Sequence, residues 1–218
     1  GKALTLTAEN PGQATLVATE GAAGLAIDGV SEGVVVVQDL ALVRDGSTNL
    51  VTAGLEVPQL VLQRLSMRNA DATPGFGGAG VLSATTGSVV MTSVDLQGFT
   101  RGLFGRGSTR EGQGTYELDD VRCSDGQGVG EGVGICFQFA LNRLATLNNT
   151  NCELTEPNAG CVFVFASAGP VVIRDSDFSC RVQADVLYRG GSCAATVNGG
   201  ALEVENSTFT CTEAPGED

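Results

Sequence analysis

One pattern recurs along the chain and decides what it can fold into: apolar-x-apolar-x-x-(apolar or small)-x-apolar. It reads Val35, Val37, Leu40, Leu42 in one copy, then Leu60, Leu62, Leu65, Met67, then Val89, Met91, Val94, Leu96. Further copies are Tyr116, Leu118, Val121, Cys123, then Ala145, Leu147, Thr150, Cys152, then Val171, Ile173, Ser176, Phe178, and last Leu202, Val204, Ser207, Phe209. A weaker first copy starts at Leu4 and Leu6. The second anchors (Leu6, Val37, Leu62, Met91, Leu118, Leu147, Ile173, Val204) are spaced 31, 25, 29, 27, 29, 26 and 31 residues apart. Self-similarity at such a period is the mark of stacked repeats.

Within each half of the template the alternation is period two, so each half is a short strand with one buried face. The two-residue insert breaks the alternation and turns the chain without sending it back as a hairpin. Its second residue is Asp39, Arg64, Ser93, Asp120, Asn149, Asp175 or Asn206. These are mostly Asp, Asn and Ser, whose side chains bond nearby backbone; Asp and Asn also tolerate a left-handed backbone. A third short strand precedes each copy, as at Gly24–Ile27, Gly80–Leu82, Gly102–Phe104, Gly134–Phe137, Gly160–Phe163 and Asp185–Tyr188. Three strands per repeat make one triangular coil. About eight coils stacked ~4.8 Å apart span roughly 40 Å. The expected fold is therefore all-β: a single-stranded parallel β-helix over residues 1–212, with 213–218 a polar tail; its hand is what the resemblance below implies, right-handed. A doubly wound α/β fold would need amphipathic helices between strands, and the Gly-rich connections lack that period.

The pattern resembles the right-handed parallel β-helix of the pectate-lyase-like superfamily over nearly the whole chain. Lys2–Thr15 looks like the early coils of such proteins. Gly199-Gly-Ala-Leu202 followed by Asn206-Ser-Thr-Phe209 is similar to the repeats of polymorphic surface and adhesin-type β-helix proteins. The resemblance implies a fold and leaves function open, since that fold carries lyases, hydrolases, adhesins and purely structural proteins.

Composition narrows the choice. Twelve Lys+Arg face 25 Asp+Glu, a net charge of −13, and Lys2 is the one lysine. A polyanion needs a basic face, so neither nucleic acid nor an anionic membrane surface is an expected partner. No run approaches the ~18 apolar residues of a membrane span. The chain has no His, so Ser–His–Asp triads and His-ligated metals cannot form within it. It does not begin with Met, so Gly1 reads as a mature terminus or the start of an excerpt from a longer protein.

Seven cysteines all lie in the second half: Cys123, Cys136, Cys152, Cys161, Cys180, Cys193 and Cys211. None forms a C-x-x-C pair. Sequential pairing would give Cys123–Cys136, Cys152–Cys161 and Cys180–Cys193, each across a corner, with Cys211 awaiting a partner beyond the visible end. Stacked pairing would give Cys123–Cys152 and Cys180–Cys211, with Cys136–Cys161 beside them and Cys193 left over. Free thiols in the core are a third reading. The sequential scheme is favoured. Disulfides point to an oxidising compartment. Two glycosylation sequons agree with that, Asn148-Asn-Thr150 and Asn206-Ser-Thr208, both set at the outward corner.

Chemistry is sparse. The Asp119-Asp120 pair falls in a corner, and Asp28 and Asp185 sit near the ends of the strands preceding the template, in different coils. Paired acid–base work needs two carboxyls within ~5–10 Å. The corner column Asp120, Asn149, Asp175, Asn206 could ligate Ca²⁺, but it reads better as turn residues satisfying backbone, and Arg64 interrupts it. The outward position after the corner runs Ala41, Ser66, Asp95, Arg122, Asn151, Asp177, Thr208, not the regular Thr face that ice binding would require. Arg101, Arg106 and Arg110 form a local basic stretch, read as a solvated loop or as a site for an anionic partner. The expectation is a non-catalytic, extracellular structural or adhesive segment of a larger surface, matrix or appendage glycoprotein. It needs no cofactor or metal, and other chains, further coils or glycans are its partners. The alternative is a carbohydrate-binding or polysaccharide-cleaving β-helix whose active coils lie elsewhere.

Overall fold

The computed structural model describes residues 3–18, 24–44, 49–70, 78–106, 114–125, 134–140, 142–155, 159–165, 169–182, 193–197 and 201–213. These form β1 (Ala3–Thr7), β2 (Ala14–Ala18), β3 (Leu25–Ile27), β4 (Val34–Gln38), β5 (Leu40–Arg44), β6 (Val51–Ala53) and β7 (Gln59–Asn69). There follow β8 (Ala79–Ser83), β9 (Ser88–Gln97), β10 (Arg101–Gly105), β11 (Gly114–Ser124), β12 (Gly134–Phe139), β13 (Asn142–Asn148) and β14 (Asn151–Leu154). The last are β15 (Ala159–Phe165), β16 (Val171–Arg174), β17 (Asp177–Val182), β18 (Ala194–Val197), β19 (Leu202–Glu205) and β20 (Thr208–Glu213). Among the described residues no helix occurs, and so none is long and apolar enough to cross a membrane.

The strands build an all-β parallel solenoid. One face stacks β1-β4-β7-β9-β11-β13-β16-β19. Around the corner the same sheet continues through β2, β5, the later halves of β7, β9 and β11, then β14, β17 and β20. A second sheet, β18-β15-β12-β10-β8-β6-β3, closes the third side. Six turns have a neighbour on both sides of the first face, and β1–β3 and β19–β20 are the end rungs. The solenoid thus has about six inner turns where the repeat counts eight copies.

The template anchors meet in register. Leu6, Val37, Leu62, Met91, Leu118, Leu147, Ile173 and Val204 are successive pairing partners. A second inward column runs Leu16, Leu42, Met67, Leu96, Cys123, Cys152, Phe178, Phe209. Inside the stack these side chains lose almost all contact with water, and Leu62, Met91, Leu118, Leu147 and Ile173 are each 0% exposed. At the ends the same columns open, with Leu6 at 37% and Val204 at 44%. Each coil therefore buries its apolar side chains only against its neighbours.

The corners follow the insert. Asp39, Arg64, Ser93, Asp120, Asn149, Asp175 and Asn206 all have positive φ, from +44° at Asn149 to +61° at Asp39. The turned residue keeps its place in the ladder: the Asp39, Asn149 and Asp175 N–H groups donate to Gln63, Arg174 and Glu205 carbonyls at 3.1–3.2 Å. Asp and Asn reach this conformation at low cost. Arg64 lacks that advantage and is held by two bonds to the Asp39 carboxylate, at 2.6 and 2.8 Å. In the first turn the two-residue corner is replaced by a longer excursion. Gln13 N–H closes a turn on Asn10 C=O, and Gly12, at φ +74°, donates to Asp39 C=O.

The strands expected at Gly24–Ile27, Gly80–Leu82, Gly102–Phe104, Gly134–Phe137 and Gly160–Phe163 correspond to β3, β8, β10, β12 and β15. The one expected at Asp185–Tyr188 lies outside the described residues, as does the polar tail after Glu213. Two strands of this sheet, β6 and β18, were not singled out by the Gly-led pattern.

Candidate functional site

The cysteines are placed by the turn geometry. Cys123 ends the inward alternation of β11 and meets Cys136 of β12 across the corner, and Cys152 of β14 meets Cys161 of β15 in the same way one turn on. Cys180 of β17 and Cys193, just before β18, make the third pair. Their Cα separations, 5.9, 5.8 and 5.5 Å, suit a disulfide. Sequential pairing is what forms, and the stacked alternative does not, although Cys123 with Cys152 and Cys180 with Cys211 are indeed register partners. Cys211 is free and exposed. Its Sγ lies 2.7 Å from Cys193 Sγ.

The two sequon asparagines differ. Asn148 is half-buried at the end of β13, one residue before the corner, whereas Asn206 is itself the corner residue and is exposed. Thr150 of the first sequon is fully buried, and its hydroxyl donates to Asn148 C=O at 3.0 Å. Ser176 and Ser207 repeat the gesture toward Arg174 and Glu205 carbonyls, at 2.6 and 2.7 Å. The Ser176 hydroxyl accepts Thr150 N–H, and that of Ser207 accepts Ser176 N–H. In these turns the small template position is a hydroxyl that stitches the corner to the next rung, a role the apolar template did not reveal.

The corner acids do not converge. Asp120 accepts from Ser93 Oγ at 2.8 Å, and Arg174 pairs with Glu205 at 2.7 Å on the exposed surface. Among the described residues the only three His, Cys, Asp or Glu side chains gathered closely enough to hold one ion are Cys180, Cys193 and Cys211. At the other end of the column, the Arg64 guanidinium bonded to Asp39 holds that carboxyl below its usual range. Of the arginine stretch, Arg101 lays its guanidinium over Phe104, 5.0 Å from the ring centre, and Arg106 is exposed. Arg110 lies outside the described residues.

Among the described residues, the face after the corner is an outward surface that combines shape with charge of both signs. Ser66, Asp95, Arg122, Asn151, Asp177 and Thr208 are successive register partners. Beside them run Gln97, Ser124, Glu153 and Ser179. Asp95, Arg122, Asn151, Glu153 and Asp177 line a groove of about 650 Å³. Loss of solvent at Asp95 pushes its carboxyl above the usual range; Arg122 opposes this and Asp125 adds to it. Alternating acceptors and donors at rung spacing suit a ligand bearing many hydroxyls. Asp95 and Asp177 are three rungs, roughly 14 Å, apart, and Glu153 lies between them, one rung from Asp177. The same column looked merely irregular when read for a Thr face; its signal was the alignment of charge and amide across neighbouring turns. Asp28, just after β3, is not among the residues lining this groove, and Asp185 lies outside the described residues.

Comparison with known protein families, with curated proteins and with solved structures returns no match.

Proposed function

We propose that the chain is a non-catalytic structural or adhesive segment of a larger cell-surface, matrix or appendage glycoprotein, working outside the cell. Kinship with the pectate-lyase-like β-helix proteins is part of the same reading. The observation that carries it is the set of three disulfides in three successive turns, each confined to its own turn. Such ties persist in oxidising compartments, and each holds two sides of one turn together. The open end rungs support the partner assignment. Leu4, Leu6, Leu16 and Val17 at one end and Val204 at the other are exposed apolar side chains, positions that further coils or another chain would cover. Asn148 and Asn206 are the proposed glycan carriers.

The test is twofold. Intact source cells labelled with a membrane-impermeant amine or thiol reagent should yield labelled protein. The purified chain should release no products from polygalacturonate or related glycans. Labelling only after lysis would overturn the location, and turnover would overturn the non-catalytic role.

The groove favours a second reading, carbohydrate binding. Titration with neutral and acidic oligosaccharides should then show saturable heat that Arg122→Ala and Asp177→Asn abolish, while either variant leaves the fold's circular dichroism unchanged.

A further inference from the structure

The three sulfurs at the last described turns form a crowded group that the three-disulfide scheme does not account for. Cys193 is bonded to Cys180, yet its Sγ also lies 2.7 Å from the free Cys211 Sγ, and Cys180 Sγ is 3.9 Å from Cys211 Sγ. Cys193 stands between two sulfurs, either of which can be its partner. The two candidate partners differ in setting: Cys211 is exposed and Cys180 is 1% exposed. They also differ in what they tie. Cys180–Cys193 joins two sides of one turn. Cys193–Cys211 joins the residue just before β18 to β20, the strand of the next rung, which β17 pairs along its length.

We propose that Cys180, Cys193 and Cys211 are a thiol–disulfide exchange site that moves a covalent tie from within one turn to between two. In the step, the Cys211 thiolate attacks Cys193 Sγ. The Cys193–Cys211 bond forms and the Cys180–Cys193 bond breaks, its electron pair leaving on Cys180 Sγ. The proton given up by Cys211 is taken by Cys180. No oxidant or reductant is consumed. Attack along the Cys193–Cys180 axis asks the Cys211 side chain to rotate about its Cα–Cβ bond, and its exposure leaves room for that. The exchange pins the end rung to its neighbour and replaces an accessible thiol with a buried one. The inference rests on sulfur positions alone and stands or falls apart from the proposed function.

The test uses the whole chain folded under oxidising conditions. Free thiols are trapped with a maleimide at low pH, and the protein is digested with trypsin and a Glu-specific protease. Arg181 separates Cys180 from Cys193, and Glu203 and Glu205 separate Cys193 from Cys211. Both the Cys180–Cys193 and Cys193–Cys211 peptides are expected, with label divided between Cys211 and Cys180 in complementary amounts. Cys180→Ser should convert the site to Cys193–Cys211, with loss of Cys211 labelling. Cys211→Ser should hold Cys180–Cys193 alone with the same circular dichroism as the parent. Full labelling at Cys211 with no Cys193–Cys211 peptide at any time overturns the proposal. So does a dimer linked through Cys211 that retains Cys180–Cys193 intact.

Discussion

Replacing Asn149 separates the corner's backbone requirement from every side-chain contact. Asn149 sits at φ +44°, its side chain is exposed, and its backbone N–H donates to Arg174 C=O. A left-handed backbone costs an L-residue roughly 1–2 kcal/mol, a cost that Asn lowers, Gly removes and a β-branched residue meets in full. Asn149→Val should therefore destabilise by about 1–2 kcal/mol. At a urea slope of about 2 kcal/mol/M this lowers the midpoint by roughly 0.5–1 M. Asn149→Gly should stay within about 1 kcal/mol of the parent, since freedom gained by the unfolded chain offsets the relief. Thr146→Val, on the outward side of β13 three residues earlier, is the control and should be neutral or mildly stabilising, because Val suits a strand. Urea unfolding with disulfides intact, followed by far-ultraviolet circular dichroism, reads all three. A neutral Asn149→Val, or Thr146→Val as costly as Asn149→Val, would refute the argument.

Three further outcomes follow from the same structure. Leu118→Ala, at 0% exposure in mid-column, should cost about 2–5 kcal/mol, whereas Val204→Ala, 44% exposed in the end rung, should cost under about 1 kcal/mol; equal losses in urea melts would deny the stacked core. Gly102→Ala should lower the thermal midpoint by the equivalent of about 1–3 kcal/mol, because its Cβ would sit 2.7 Å from Cys136 O and 3.0 Å from Cys123 Sγ. Asp95→Asn should stabilise the protein at neutral pH: the folded carboxyl is raised by desolvation, so the parent is favoured while Asp95 is protonated and loses that advantage as pH rises through the raised value. The variant's benefit should fade below the ordinary aspartate range, and a benefit that persists in acid would contradict the cause.

The corners were legible because a two-residue break in a period-two pattern admits few conformations, and the second residue of all seven inserts adopts the left-handed one. The columns were legible for the same reason, since copies of one template can only stack on themselves. The first turn was not, because Asn10-Pro11-Gly12 lengthens the corner and moves β2 out of template spacing. The choice of disulfides was beyond spacing alone. Register partners such as Cys123 and Cys152 have nearly parallel Cα–Cβ bonds, which keep their Cβ atoms near the ~4.8 Å rung distance rather than the ~3.8 Å a disulfide prefers. Across a corner the bonds converge. The groove stayed hidden because Asp95, Arg122, Asn151 and Asp177 become neighbours only once the register is known.

The reading of an extracellular scaffold is tested most directly by non-reducing peptide mapping of the protein taken from its own source, with glycans left in place. The account predicts Cys123–Cys136 and Cys152–Cys161 as intact pairs, Cys193 bonded to Cys180 or Cys211, and sugar on Asn148 or Asn206. Seven reduced thiols together with two bare asparagines would contradict it.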